Sequence, residues 1–145
     1  MNITEEEKIE LRNRAKVEME RLEKILSDKE TAELLDRYKN RFNLCESVYK
    51  VVLREHQIKT KGKAPTYLKI NMTQAPYAMA FAGYDIDREL LNRLFGAKCV
   101  EGQMAKKLRD AVTHGLNQRA IDEIKARECE LFNDMNSFLE MIKAA

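Results

Sequence analysis

The residues with the clearest chemical potential lie in one run, Lys107-Leu108-Arg109-Asp110-Ala111-Val112-Thr113-His114-Gly115. Arginine carries a permanent positive charge on a planar fork of N–H donors that fits a phosphodiester. Histidine is the side chain that exchanges protons near neutral pH. Together they are what phosphodiester cleavage without a metal requires: a proton carrier at the attacking or departing oxygen, and a fixed cation where charge develops on the phosphorus oxygens. Asp110 adds a carboxylate. On an ideal helix Asp110 and His114 lie about 40° apart around the axis and face each other across one turn, so the carboxylate can orient or charge the imidazole. A helix C-terminus also favours a protonated histidine. Arg109 is rotated about 140° from His114, so the two converge only through the reach of Arg109 or through a second subunit. The spacing favours a site shared at a two-fold interface. A structural role stays open beside it, with His114 as a helix cap and Arg109 as a surface ion-pair partner of Glu101 or Asp122.

The chain that must position these residues has 145 amino acids, which suits one domain over residues 1–145; a chain of about that length buries roughly 70% of its unfolded surface. With 34% charged and 44% hydrophobic residues the composition is globular. The formal net charge is only +2, so a nucleic-acid site has to be a local concentration of charge, and a DNA-coating role has no support. Cys45, Cys99 and Cys129 are far apart and lack Cys-x-x-Cys spacing, so they read as small buried hydrophobes in a reducing compartment. Neither a metal nor a cofactor is expected, and no Gly-rich phosphate loop occurs. The acidic start Met1-Asn2-Ile3-Thr4-Glu5-Glu6-Glu7 has no apolar run, and no stretch approaches a membrane span, so a cytoplasmic protein is expected.

All five glycines lie past residue 60, and both prolines, Pro65 and Pro76, fall in one central stretch. The first sixty residues therefore carry almost no helix breakers. Thr4 and Glu7 make a capping-box pattern, followed by Leu11, Ala15, Met19, Leu22 and Leu26 at helical spacing, which predicts a helix from about residue 5 to 26. Ser27 and Glu30 repeat the box and predict a tight connection. Leu35, Tyr38, Phe42, Cys45, Tyr49 and Val52 then form the most regular stripe in the chain, suited to a bundle. Its tyrosines read as core residues, with a groove lining as the alternative. Between Arg54 and Gly83 the pattern weakens. Arg54, His56, Lys59, Lys61 and Lys63 form a basic segment that is either a solvated connector or an arm that contacts phosphates. Tyr67, Leu68, Ile70 and Met72 are expected to be extended, and Thr73 opens a short helix closed by Gly83. Asp85 or Asp87 caps a helix through Leu94 and Phe95 that Gly96 stops. The next helix holds the Arg109–His114 run and ends at Gly115. A last helix starts at Asn117 or Gln118 and buries Ile121, Ile124, Leu131, Met135, Phe138 and Ile142. The expected fold is all-α, an up-and-down helical bundle of four to five main helices with a central irregular insertion.

Arg109, polar Asp110, three variable residues and His114, near the end of a helix that precedes the final bundle helix, resemble the signature of HEPN domains, small all-helical modules. The resemblance covers the motif closely and the order of helices loosely over most of the chain. It implies a metal-independent endoribonuclease, homodimeric with two motifs facing across the interface, in a toxin–antitoxin, abortive-infection or other defence system. Carried over, Arg109 and His114 match the two principal positions and Asp110 the polar one. Lys106, Lys107, Lys59, Lys61 and Lys63 are candidates to hold the RNA. A cognate antitoxin or defence-operon protein is an implied partner. The alternative is a non-catalytic module of the same type that binds nucleotides or proteins. Some family members have a tyrosine, the target of a modification, two residues after the histidine. Leu116 stands there in this chain, which weighs against that regulatory pairing and leaves the nuclease chemistry untouched.

Overall fold

A computed structural model describes residues 2–61, 78–80, 82–85, 87–96 and 104–144. Among the described residues the chain is all-α, without strands, in keeping with a helical bundle. No helix among them is long and apolar enough to cross a membrane. Internal contacts divide the chain into two units, Met1–Asp36 and Arg37–Ala145.

In the first unit, helix α1 spans Glu5–Ser27. The predicted capping box is present: the Thr4 hydroxyl accepts from the Glu7 N–H at 3.1 Å, and the Glu7 carboxylate accepts from the Thr4 N–H at 3.4 Å. Glu5–Lys8, Glu10–Arg14 and Glu18–Arg21 pair along its surface. The helix buries none of its residues; Leu11 is 57% and Met19 53% exposed, so the apolar stripe read from the sequence is a surface stripe. The connection is tight, as expected, but a different residue caps it. Asp28 accepts from the Thr31 N–H and hydroxyl, while the Ser27 hydroxyl donates back to the Lys24 carbonyl. Aspartate caps as well as serine does, and it stands one position further on. Helix α2 then spans Lys29–Lys61, with Thr31, Leu34 and Leu35 buried in its first turns.

The second unit is built on the rest of α2. Tyr38, Phe42, Cys45, Tyr49 and Leu53 are all buried, which settles the two tyrosines as core residues. The Tyr38 hydroxyl donates to the Ala105 carbonyl at 2.6 Å. Burial raises both phenols above the ordinary tyrosine value. Residues 56–61, placed at the edge of the irregular insertion by the sequence, continue α2. The expected extended segment Tyr67–Met72, the helix start at Thr73, and Lys63 lie outside the described residues. A helical turn at 78–80 is followed by Gly83 in the left-handed region, φ +86°, the stop expected there.

Helix α3, Arg88–Phe95, is capped by Asp87, whose carboxylate accepts from the Glu89 and Leu90 N–H groups. Helix α4 spans Ala105–Thr113. The single last helix expected from the sequence is two: α5, Gln118–Ala126, capped by the Asn117 side chain, and α6, Glu128–Ala144, with a break at Arg127. No glycine or proline marks that break. Ile124 and Leu131 are seven apart, nearly two helical turns, so the apolar stripe runs through it in phase.

Residue numbers rise together where α2 meets α6 (Tyr38 with Phe132, Tyr49 with Phe138) and where it meets α4 (Tyr38 with Ala105, Glu46 with Arg109), so α2 runs parallel to both. The centre is an aromatic cluster. Tyr49 stacks on Phe95 with ring centroids 4.1 Å apart, and Phe42 and Phe138 meet the same ring at 5.7 and 5.6 Å. Such pairs add about 0.5–1.5 kcal/mol each beyond their burial. The Tyr38–Ala105 hydrogen bond joins α2 to the first turn of α4, the helix that carries the motif.

Candidate functional site

Helix α4 is short and strongly two-sided. Ala105, Leu108 and Val112 face the core, which turns Arg109 toward the flank of α2 and leaves Lys107 exposed. The Arg109 side chain, 12% exposed, is enclosed on three sides. Its guanidinium lies over the Phe42 ring, 4.7 Å from the centroid. Its Nε donates to Asp110 at 2.8 Å, Nη1 donates to Asn43 at 2.5 Å and to Glu46 at 3.2 Å, and Nη2 donates to the other Glu46 oxygen at 2.9 Å. Burial by itself would lower the Arg109 pKa; the hydrogen bonds with Glu46 and Asp110 outweigh it and raise the value, so the charge is fixed.

Asp110 turns its carboxylate to Arg109 and, at 3.0 Å, to Lys106. Asp110 meets His114 through the backbone, the His114 N–H donating to the Asp110 carbonyl at 3.0 Å. The facing Asp110–His114 pair expected from helical spacing is therefore replaced by an Arg109–Asp110–Lys106 cluster. The physical reason is competition: two permanent cations one and four residues back are stronger partners than an imidazole at the helix end.

His114 is the C-cap of α4, with φ −99° and ψ 16°, and it is exposed. Among the described residues its imidazole forms no hydrogen bond or ion pair with Arg109 or Asp110, so one copy of the chain does not join the two principal residues. The helix stops just before Gly115, as expected, but Gly115 does not supply the left-handed turn. Leu116 does, at φ +48°, a conformation that costs a side-chain-bearing residue about 1 kcal/mol. The Asn117 N–H closes the turn onto the Ala111 carbonyl at 3.3 Å.

The other lysines are dispersed. Lys106 is committed to Asp110, and Lys107 points to solvent. Lys59 lines a cleft of about 460 Å³ with Val51, Val52, Glu55, His56, Ala78 and Ala82. Lys61 ends α2; Lys63, like Glu101, lies outside the described residues. Asp122, one of the ion-pair partners considered for Arg109, takes a hydrogen bond from Gln118 instead.

The residues that sequence reasoning did not find are Phe42, Asn43 and Glu46 as the seat of Arg109. A signal existed. Asn43 and Glu46 flank the buried stripe of α2, where a half-buried carboxylate needs a cation from a neighbouring helix. One sequence does not say which cation that is. The chain matches no family model, no curated protein and no solved structure. What the fold and this site define is an all-α helical unit with an arginine-centred ion-pair cluster beside an exposed, helix-terminal histidine.

Proposed function

We propose that the protein is a metal-independent endoribonuclease of a HEPN-like, defence or toxin–antitoxin type, acting as a homodimer. The observation that carries this reading is the exposed His114 at the C-terminal end of α4, with Arg109 fixed just over one turn before it. In the proposed reaction the His114 imidazole takes the proton of a ribose 2′-hydroxyl, whose oxygen attacks phosphorus. The bond to the 5′-oxygen breaks, and that oxygen leaves with a proton from the partner copy's histidine. The product is a 2′,3′-cyclic phosphate, and the guanidinium of Arg109 stabilises the charge on the phosphorus oxygens. The requirement for a 2′-hydroxyl restricts the substrate to RNA. A shared site fits the separation of the two residues within one copy.

The second reading, a non-catalytic module that binds a nucleotide or a protein, is favoured by one observation: the Arg109 guanidinium is already held by two carboxylates and an amide. Single-stranded RNA incubated with the protein and EDTA separates the two. Cleavage that persists in EDTA and is lost in both Arg109→Ala and His114→Ala, with circular dichroism unchanged, supports the nuclease. Intact RNA together with a monomer by light scattering assigns the protein to the second reading.

A further inference from the structure

A guanidinium has five N–H donors, and four hydrogen bonds already occupy that of Arg109. Glu46 takes the fork between Nη1 and Nη2 with both of its oxygens, which is the edge and the geometry by which arginine grips a phosphate. A phosphodiester and the Glu46 carboxylate therefore compete for the same two donors. The surroundings fit a contact that can be exchanged. Lys50 lies 3.5 Å from Glu46 and Lys106 lies 3.0 Å from Asp110, so each carboxylate keeps a cation of its own when Arg109 turns away. Both lysines are more exposed than Arg109, at 42% and 34% against 12%. Both ion pairs are i,i+4 pairs within a single helix, so neither depends on Arg109 for its geometry.

We propose that Glu46 is a phosphate-mimicking latch on Arg109: it occupies the arginine fork in the unbound protein and is displaced to Lys50 when an RNA phosphate enters. The proposal rests on the nuclease reading for the identity of the ligand, and deepens it by naming the residue that sets the site's affinity. The latch makes occupancy depend on the concentration of phosphate along a strand, so a mononucleotide displaces Glu46 less readily than a polymer does.

The test is binding of a fluorescent single-stranded oligonucleotide lacking 2′-hydroxyls, which cannot be cleaved, measured by anisotropy over a range of salt concentrations. Glu46→Gln keeps the side chain's shape and removes the competing charge. The expected result is tighter binding by about tenfold with the slope of log K against log salt unchanged, because the phosphate contact at Arg109 forms in both complexes. Arg109→Ala added to Glu46→Gln abolishes the gain and lowers the slope by about 0.7, the share of one lost phosphate contact. Glu46→Asp, which shortens the reach of the carboxylate, provides the same reading with a smaller change if Glu46→Gln does not fold. Equal or weaker binding by a folded Glu46→Gln protein overturns the latch, as does absence of binding in every variant. Cleavage of the matching RNA is scored separately. Tighter binding by Glu46→Gln without cleavage in any variant keeps the latch and removes the nuclease reading; wild-type cleavage that Glu46→Gln leaves unchanged in KM removes the latch and keeps the nuclease.

Discussion

Asp110 sits between two cations, and its acidity follows from that position. Burial pushes its carboxyl up, but the hydrogen bonds from Arg109 and Lys106 outweigh burial and hold it below the ordinary value of 3.8. A carboxyl lowered in the folded state contributes stability that is fully present above its unfolded value and is lost as the pH falls through its folded value. The stability advantage of the wild type over Asp110→Asn is therefore greatest at neutral pH and shrinks as the pH falls below 3.8. Urea midpoints for the two proteins, taken in steps down through the carboxylate range, check this. A constant gap would mean that Asp110 is neutral or unpaired throughout. Arg109 belongs to the same balance. Because Glu46 is only 14% exposed, removing the guanidinium leaves a half-buried carboxylate with Lys50 alone, so Arg109→Ala is expected to lose stability, and the cleavage assay proposed above has to be read beside that loss.

Helix α1 stands on local interactions. It is 23 residues long and buries none of them, so capping and surface ion pairs supply what tertiary packing gives the other helices. Thr4→Ala removes the hydroxyl that accepts the Glu7 N–H, a change worth about 1 kcal/mol to a helix start. The expected outcome is faster hydrogen exchange in the first turns of α1 with no change among the amides of α6; equal protection of α1 in both proteins counts against a locally held helix. The same physics decides what could be read from one sequence. The capping box at Thr4, the stripe from Tyr38 to Tyr49, the Asp87 cap and the start at Asn117 are local codes, and each stands where it was expected. The break at Arg127 was not legible. Arg127 ties Glu123 behind it at 2.7 Å to Glu130 ahead of it at 3.1 Å, and nothing in the apolar spacing signals a stop. The seat of Arg109 was hidden for a related reason. Glu46 and Arg109 are 63 residues apart, and their pairing depends on how deeply α4 packs against α2. Helical spacing paired Asp110 with His114, and the partners expected for Arg109, Glu101 and Asp122, do not lie on α2.

On the scale of the whole molecule, two features govern behaviour in solution: a formal net charge of only +2, and an aromatic core in Arg37–Ala145. The first means that long-range attraction to a polyanion is weak, so the RNA binding proposed above would have to come from local contacts and fall with salt only as far as those contacts number. The second gives a direct report on opening of the core. Cys45 is buried on α2 beside the aromatic cluster, with its thiol directed at the Met135 carbonyl. Burial pushes that thiol up from 9.0 to about 12, against the opposing pull of Arg41. The thiolate is the reactive form, so at a given pH the folded protein holds far fewer Cys45 thiolates than the unfolded chain, before access is counted. Cys129 is exposed on α6. Iodoacetamide at mildly alkaline pH should therefore modify Cys129 within the mixing period and leave Cys45 unlabelled, as read by peptide mass spectrometry. In rising denaturant Cys45 should become reactive along the same transition that circular dichroism follows, because reaching its sulfur means separating α2 from α6 at the rings of Tyr49, Phe95 and Phe138. Labelling of Cys45 well before that transition would show α2 and α6 parting while the helices persist, and the second unit would then not open as one cooperative body.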